Sequence, residues 1–295
     1  MHDLQASRTA QYMAFFRVLE TMEPAGQRLF SDPYAVRLLS GPLRTFACLA
    51  RIPLLGTLIR TILELGWPCT RSSGVVRTRA IDDMVTEAVR DGACQLVLLG
   101  AGFDSRAYRL QEAAKTRVFE VDHPATQQEK RARLSSVATS RSANVQFVPV
   151  DFEKDDLEAR LIEAGFRREV PTVVVWEGVI SYLTKPAVHK TLSLLARLLA
   201  SGSQLIFTYM DQAALDGTKA FQGAMRWKAW VRMSGEPFIF GFDPDSLAGT
   251  LRPFGFLLNG DRSTHEIAQE YREHMSRHER GSQAYRVAAA IRLKA

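Results

Sequence analysis

LVLLGAGFDSRAYRL, from Leu96 to Leu110, runs from a continuous apolar stretch through Gly100-Ala101-Gly102 into a helical pattern. Glycines after a strand let the backbone pass close to a ligand, and the N-terminus of the next helix offers unpaired N–H groups. The stretch therefore predicts a strand, a ligand-binding loop and a helix, in that order. We expect the ligand at the carboxyl end of the strand, where open α/β sheets bind their ligands.

From Gln95 onward, short apolar runs alternate with helical patterns. Continuous apolar strands separated by helices predict a parallel sheet covered on both faces, the doubly wound, Rossmann-like α/β architecture. The clearest helix is expected after the N-cap Thr184, with Pro186 in its first turn. Ala284–Leu293 alternates in polarity and predicts a last strand, antiparallel to the others. The runs predicted as parallel strands are Gln95–Leu99, Arg117–Val121, Val145–Val150, Thr172–Trp176 and Gln204–Tyr209.

Two segments lie outside this alternation. Residues 1–73 show helical patterns broken at five prolines, and they predict an N-terminal helical cap in front of an α/β domain that spans residues 74–295. Residues 212–242 follow the fifth predicted strand and contain several aromatic side chains. Because ligands of open α/β sheets lie beyond the carboxyl ends of the strands, this second segment predicts a lid insertion over the site.

Composition and charge narrow the class of protein. The chain has 295 residues, of which 46% are hydrophobic, and this excludes a disordered or collagen-like chain. Its three cysteines are far apart, which argues against a disulfide framework or a zinc site, and the polar N-terminus without a transmembrane stretch predicts a cytoplasmic protein. Residues 1–80 carry ten arginines, no lysine and five acidic residues. Because lysine-rich runs are absent, this positive surplus indicates an acidic small molecule rather than a nucleic acid.

Asp122 and the loop after the first strand restrict the cofactor. Asp122 ends the second predicted strand, 20 residues after Gly102, where a carboxylate accepts hydrogen bonds from ribose hydroxyls. Ser105 stands where a dinucleotide fingerprint would place its third glycine, and the bulky Arg106 follows it. A close approach of a pyrophosphate is therefore disfavoured, and the loop predicts an adenosine-like ligand.

Acidic residues also follow the next two strands. Asp151 and Phe152 offer a carboxylate and an aromatic face to an adenine ring, and Glu177 could hold an ammonium group. Each acid alone is explained equally well by a solvated loop or an N-cap. Together with the glycine loop, the three acids favour S-adenosylmethionine over a nicotinamide dinucleotide.

Motifs spread over nearly the whole chain occur in an order that resembles one family. They are TAQYMAFFRVLE from Thr9, FSDPYAVRLL from Phe30, RTRAIDD from Arg77, LLGAGFDSRAYRL from Leu98, FEVDHP from Phe119, the Asp151-Phe152 pair and EGVISYL from Glu177. The chain resembles the leucine carboxyl methyltransferase family, in its bacterial S-adenosylmethionine-dependent branch.

This resemblance implies a class I methyltransferase sheet and a role for individual residues. Arg79 would contact the cofactor carboxylate, and Gly100 would contact the methionine moiety. The other implied roles are Asp122 for the ribose, Asp151 and Phe152 for the adenine and Glu177 for the amino end. Because the resemblance is to a bacterial branch with diverse acceptors, methylation of a protein C-terminus does not follow from it.

Methyl transfer from a sulfonium requires alignment of nucleophile, methyl group and sulfur, and exclusion of water. A carboxylate acceptor is already ionised at neutral pH, so it needs no general base. The chain has no GxSxG, HExxH or P-loop motif, which favours a methyl ester formed on a carboxylate of a small acidic acceptor. The apolar cap and lid predict that this acceptor has a hydrophobic body. Transfer to a hydroxyl, nitrogen or carbon, and a cofactor-binding scaffold without turnover, are the alternatives.

Candidates for contacts with the acceptor are Tyr182, Tyr209, Tyr34 and Arg77. Tyr182 follows Glu177, Tyr209 ends the fifth predicted strand and Tyr34 lies in a DPYA turn; packing explains each tyrosine equally well. No metal is expected, since His274 and His278 lie in a charged segment that a solvated helix face explains.

Overall fold

Seven strands form one sheet in the order β3-β2-β1-β4-β5-β7-β6 in the computed structural model, which describes residues 8–135, 144–152, 154–221, 227–229, 232, 235, 237–274 and 280–294. β1 to β5 pair in parallel, and β7 is antiparallel to both of its neighbours, as predicted. The strands are β1 Gln95–Leu99, β2 Arg117–Asp122, β3 Val145–Pro149, β4 Thr172–Trp176, β5 Gln204–Met210, β6 Phe256–Ser263 and β7 Tyr285–Arg292.

The sixth strand is the one that the sequence patterns missed. Its centre, Asn259-Gly260-Asp261, has the composition of a turn, and its register against β7 shifts between Leu258 and Gly260. Seven residue pairs with β7 nevertheless hold β6 at the edge of the sheet. Tertiary pairing therefore overrides the local turn preference.

Helices cover both faces of this sheet. Thr184 caps the predicted helix by accepting a hydrogen bond from the Ala187 backbone N–H at 3.4 Å. The helices are α1 Arg8–Thr21, α2 Ala35–Leu38, α3 Gly41–Leu49, α4 Pro53–Gly66, α5 Thr70–Arg90, α6 Arg106–Arg109, α7 Pro124–Leu134, α8 Leu157–Glu163, α9 Lys185–Leu198, α10 Gln212–Asp216, α11 Leu247–Leu251 and α12 Thr264–Glu270. No helix in the described ranges is long and apolar enough to cross a membrane.

The N-terminal helices share their core with the sheet. Phe16 and Leu19 of α1 belong to the same buried cluster as Leu96 and Leu98 of β1. Glycine at position 74 lets α1 approach α5, since a Cβ there would lie 3.3 Å from the Phe16 ring. The boundary predicted after residue 73 falls inside α5, which runs without interruption from Thr70 to Arg90.

Candidate active site

The glycine loop after β1 has the conformation that its sequence predicts. Gly100 and Gly102 have φ angles of +72° and +45°, which side chains disfavour. A Cβ at Gly100 would collide with Val179, and one at Gly102 would lie 3.5 Å from Ala10 of α1. Both glycines are therefore required, and α1 lies against the loop.

Asp122 holds this loop at the end of β2. Its two carboxylate oxygens accept hydrogen bonds from the backbone N–H groups of Gly102 and, at 2.6 Å, of His123. Burial raises the pKa of the Asp122 carboxyl, and the two N–H donors oppose part of that rise. Each oxygen keeps a second lone pair, so the residue fits a ribose diol as well as its own loop.

Asp151 and Phe152 follow β3, next to Asp122. The Val150 backbone N–H donates to the Asp122 carbonyl oxygen at 2.9 Å, so the carboxyl ends of β2 and β3 are adjacent. Asp151 forms an ion pair with the exposed Lys154 at 2.9 Å, and the Phe152 ring is exposed. An exposed aromatic ring beside a carboxylate fits an adenine ring, which has both a flat face and an amine.

Glu177 follows β4 and lies between two buried arginines. Arg77 Nε donates to Glu177 Oε1 at 2.7 Å, and Arg106 Nη1 lies 2.8 Å from Oε2. Burial alone would raise the pKa of Glu177, but Arg106 and Arg77 together hold it below its usual range. Glu177, which is predicted to bind the ammonium group of the cofactor, thus already has one arginine donor on each of its carboxylate oxygens.

Arg106 is the centre of a buried ion-pair cluster that sequence reasoning treated only as a bulky residue. Its guanidinium also contacts Asp104 and, at 2.8 Å, Asp82 of α5, while Arg109 pairs with the same Asp82. Only 1% of Arg106 is exposed. The cluster connects α5, the glycine loop and the end of β4, and its side chains come from the RTRAIDD and DSRAYR segments and from Glu177.

A second ionic contact fixes the neighbouring turn. Asp32 accepts hydrogen bonds from Arg17 Nε at 2.8 Å and from the Ser105 hydroxyl at 2.5 Å. Arg17 and Ser105 together hold the pKa of Asp32 below its usual range against the effect of burial. Ser105, which stands where a dinucleotide fingerprint would have its third glycine, therefore binds Asp32 of the FSDPY segment.

Arg77 and Arg79 point in different directions, because two positions along a helix turn a side chain by about 200°. The Arg77 guanidinium is buried over the Tyr285 ring, 5.0 Å from its centroid. Arg79 instead donates to Asp83 and to the Leu29 carbonyl oxygen at 2.8 and 2.7 Å. The structure brings Arg77, and not Arg79, to Glu177.

An aromatic cluster contacts Arg77 through the Tyr285 ring and consists of Tyr12, Trp67, Tyr182, Phe221, Trp227, Phe238 and Tyr285. Trp227 lies 5.0 Å from Tyr285, and Phe238 lies 5.2 Å from Tyr182 between ring centroids. Trp227 and Phe238 belong to the predicted lid, whose Ile239 N–H donates to the Ser181 carbonyl oxygen at 2.7 Å. The described part of the lid therefore packs at the carboxyl edge of the sheet.

Tyr285, and not Tyr209, belongs to the aromatic cluster. The Tyr285 hydroxyl lies 2.9 Å from Thr208 Oγ1, which accepts the Gly178 N–H at 2.8 Å. Tyr209 is the next residue along β5 and faces the opposite side of the sheet, where its hydroxyl donates to Asp261 at 2.7 Å. The ring that contacts Arg77 is that of Tyr285, which pairs with Met210 in the sheet.

Tyr34 lies apart from the aromatic cluster, in the cap. Its ring packs against Tyr108 with centroids 6.0 Å apart, and its backbone N–H donates to Asp32 at 3.0 Å. Of the predicted acceptor contacts, Tyr182 and Arg77 lie together, whereas Tyr209 and Tyr34 lie elsewhere. His278 is outside the described residues, and no group of His, Cys, Asp or Glu suited to a metal occurs among those described.

Comparisons with known proteins agree with this architecture. A family model described as leucine carboxyl methyltransferase matches residues 10–196. A protein of Mycolicibacterium smegmatis, named as an S-adenosyl-L-methionine-dependent methyltransferase, is 35% identical over 215 residues, which cover 70% of this chain and 68% of that protein.

Solved structures share the fold at lower identity. A DUF574 family protein of Streptomyces avermitilis aligns with a TM-score of 0.59 and 15% identity over 98% of this chain and 99% of that one. A protein of Thermobifida fusca, named as a methyltransferase, aligns with a TM-score of 0.58 and 18% identity over 88% and 93% of the two chains. The predicted fold class and family are confirmed, and this chain belongs to the leucine carboxyl methyltransferase family.

Proposed function

We propose that this chain is an S-adenosylmethionine-dependent O-methyltransferase that forms a methyl ester on a carboxylate of a small acceptor with a hydrophobic body. Dependence on S-adenosylmethionine follows from family membership. One observation carries the choice of acceptor. The buried guanidinium of Arg77 packs on the Tyr285 ring of the aromatic cluster and contacts Glu177 at the carboxyl edge of the sheet.

The residues at the strand ends fit the cofactor. Gly100 and Gly102 leave the backbone open to its methionine part, and Asp122 would hold the ribose. The other proposed contacts are Asp151 and Phe152 with the adenine and Glu177 with the ammonium group. By the family resemblance Arg79 would contact the cofactor carboxylate, and its described contacts are with Leu29, Asp83 and Tyr271. When bound, the cofactor supplies an electrophilic methyl group.

The protein would mainly orient the acceptor and exclude water. Arg77 donates its Nε–H to Glu177, and the terminal N–H groups of Arg77 would bind an acceptor carboxylate. Burial acts to lower the pKa of Arg77, but Tyr285 and Glu177 have a larger opposite effect and raise it above its usual value. The guanidinium therefore stays charged. Trp227 and Phe238 are buried in the aromatic cluster, where they would keep water from the bound acceptor. Since a carboxylate is ionised at neutral pH, these residues suffice without a general base.

Mass spectrometry with an isotope-labelled methyl donor tests the acceptor class. The panel consists of aromatic and aliphatic carboxylic acids, each with its matching alcohol and primary amide. We expect label only in the acids, as a methyl ester that mild alkali hydrolyses. Label that enters the alcohols, the amides or an alkali-stable position would overturn the proposed carboxylate acceptor, while methyl transfer itself would stand.

A further inference from the structure

Helix α4 exposes its apolar side. Leu54, Leu58, Ile62 and Leu65 are spaced by four, four and three residues, so they lie on one face of the helix. All four are exposed, from 52% for Leu58 to 83% for Leu54. The stripe is about 17 Å long, since it spans 11 residues at 1.5 Å each. In an amphipathic helix on a water-facing surface, such a stripe would instead face the protein core.

The inner side of α4 is held in place by Ile59 and Leu63, which pack against the main buried cluster, and by polar and backbone contacts. Arg60 pairs with Glu23 of the segment after α1 at 3.1 Å, and Glu64 accepts the Cys69 N–H at 3.0 Å. Gly56 is buried so tightly that a Cβ there would lie 2.5 Å from the Ala50 carbonyl oxygen. A rotation that turned the leucines inward would break these contacts, so the exposed stripe is a stable feature of the fold.

The preceding segment enlarges this surface. Phe46 and Leu49 of α3 and Ile52 between the helices are 40–52% exposed. We name these three residues and the four of α4 the apolar hairpin face. Clusters of exposed large apolar side chains of this kind usually mark an interaction site.

The exposed charged residues of this segment are arginines, whereas Glu23 and Glu64 are half-buried. No acidic residue occurs between Asp32 and Glu64, whereas this interval contains Arg37, Arg44, Arg51 and Arg60. Arg44 in the middle of α3 and Arg51 in the turn before α4 are exposed. The surface therefore combines apolar side chains with positive charge, which is complementary to an anionic, water-to-hydrocarbon boundary.

We propose that the apolar hairpin face binds the surface of a lipid bilayer that contains anionic lipids. At 14 residues, α4 is too short to span a bilayer and suits a position parallel to its surface. A second copy of the chain fits less well, because a two-fold interface would bring two sets of Arg44 and Arg51 into one contact, and residues 33–63 offer no acidic partner for them. Trp67 directly follows α4 and belongs to the aromatic cluster, so binding would bring the acceptor site to the membrane.

Co-sedimentation of the whole protein with vesicles tests this proposal. One set of vesicles contains equal parts of phosphatidylglycerol and phosphatidylcholine, and the other contains phosphatidylcholine alone. We expect the wild-type chain to prefer the anionic vesicles, and the triple variant Leu54→Gln, Leu58→Gln, Leu65→Gln to bind them at least about tenfold more weakly. The double variant Arg44→Gln, Arg51→Gln should lose the preference for phosphatidylglycerol.

Leu257→Gln provides the matched control, because Leu257 is an apolar residue of β6 with 49% exposure. It should bind vesicles as the wild type does. All variants should keep the wild-type affinity for S-adenosylmethionine, since no substituted residue lies at the carboxyl ends of β1 to β4, where the cofactor is proposed to bind. Wild-type protein that ignores both vesicle types, or a triple variant that binds like the wild type, overturns the proposal. Light scattering that shows a wild-type dimer and a monomeric triple variant, without vesicle binding, assigns the face to a second copy instead.

Discussion

Arg106 and Arg44 belong to two regions that use the same side chain in opposite ways. Arg106 is buried below the glycine loop and contacts Asp82, Asp104 and Glu177. Arg44 is exposed on α3, in an interval of 31 residues, from 33 to 63, without any acid. A buried charge must be paired, whereas an exposed one is solvated at little cost. The charge of Arg106 is thus neutralised by carboxylates of the same chain, whereas the charge of Arg44 faces solvent and is open to a partner outside the chain.

The largest expected effect is on stability and separates these two regions directly. Arg106→Leu should lower the free energy of unfolding by about 3–5 kcal/mol, because three buried carboxylates lose a partner. Arg44→Leu should change it by no more than about 0.5 kcal/mol. Urea denaturation followed by circular dichroism measures both.

Arg106→Lys provides a second variant if Arg106→Leu does not fold. Lysine keeps the charge but cannot reach all three carboxylates at once, so an intermediate loss of stability is expected. Equal losses for the Arg106 and Arg44 variants would contradict the contrast between the regions.

The next effect distinguishes Arg77 from Arg79. Arg77→Met should raise the acceptor KM by a factor of about 30, equivalent to about 2 kcal/mol, because it removes the buried cation from the aromatic cluster. Arg79→Met should leave this KM close to that of the wild type. Steady-state kinetics with an acid from the panel and calorimetry with S-adenosylmethionine measure the two sites separately. If Arg77→Met weakens only cofactor binding, Arg77 serves the cofactor and the carboxylate proposal loses its main support.

A smaller effect tests Asp122. Asp122→Ala should weaken S-adenosylmethionine binding at least about tenfold, or about 1.4 kcal/mol, since both a ribose partner and the acceptor for the Gly102 N–H are lost. The exposed Asp245→Ala is the control and should bind normally. An unchanged calorimetric affinity of Asp122→Ala would rule out the ribose contact.

The last prediction concerns the acid dependence of stability. Burial opposes ionisation of Asp104, but Arg106 and the other charges lower its pKa from 3.8 to about 2. A carboxyl whose pKa is lower in the folded state stabilises the fold above its unfolded pKa and loses that contribution as pH falls through the folded value. Stability should therefore fall between pH 4 and pH 2. Asp104→Asn should show a flatter decline in urea titrations across this interval, and an identical slope would exclude Asp104 as a source.

Local patterns were sufficient for most of the sheet. The predicted strands and the cap at Thr184 are confirmed because apolar runs and N-cap residues act over a few neighbours. β6 was missed because its turn-like centre is stabilised only by pairing with β7. The same limit applies to Tyr209 and Tyr285, since the face on which a strand residue lies depends on its partners in the sheet.

The ion-pair cluster shows a second limit. RTRAIDD and DSRAYR were visible as motifs, but nothing local indicates that Asp82 meets Arg106 across 24 residues or that Arg77 meets Glu177 across 100. The cofactor role that the resemblance implies for Arg79 stays a prediction, and its contact with the Leu29 carbonyl oxygen, 50 residues away along the chain, appears only in the folded protein. Contacts between distant segments form only when the helices pack.

The amino-acid sequence was enough for the fold class, the family, the glycine loop and the acids at the strand ends, because each depends on short-range pattern or on motif order. Tertiary packing decided which side of each element faces the site. It selected Arg77 and Tyr285 for the aromatic cluster, engaged both oxygens of Glu177 and turned the leucines of α4 outward. Burial, charge pairing and steric fit depend on neighbours that are far apart along the chain, and so these properties appear only in the folded protein.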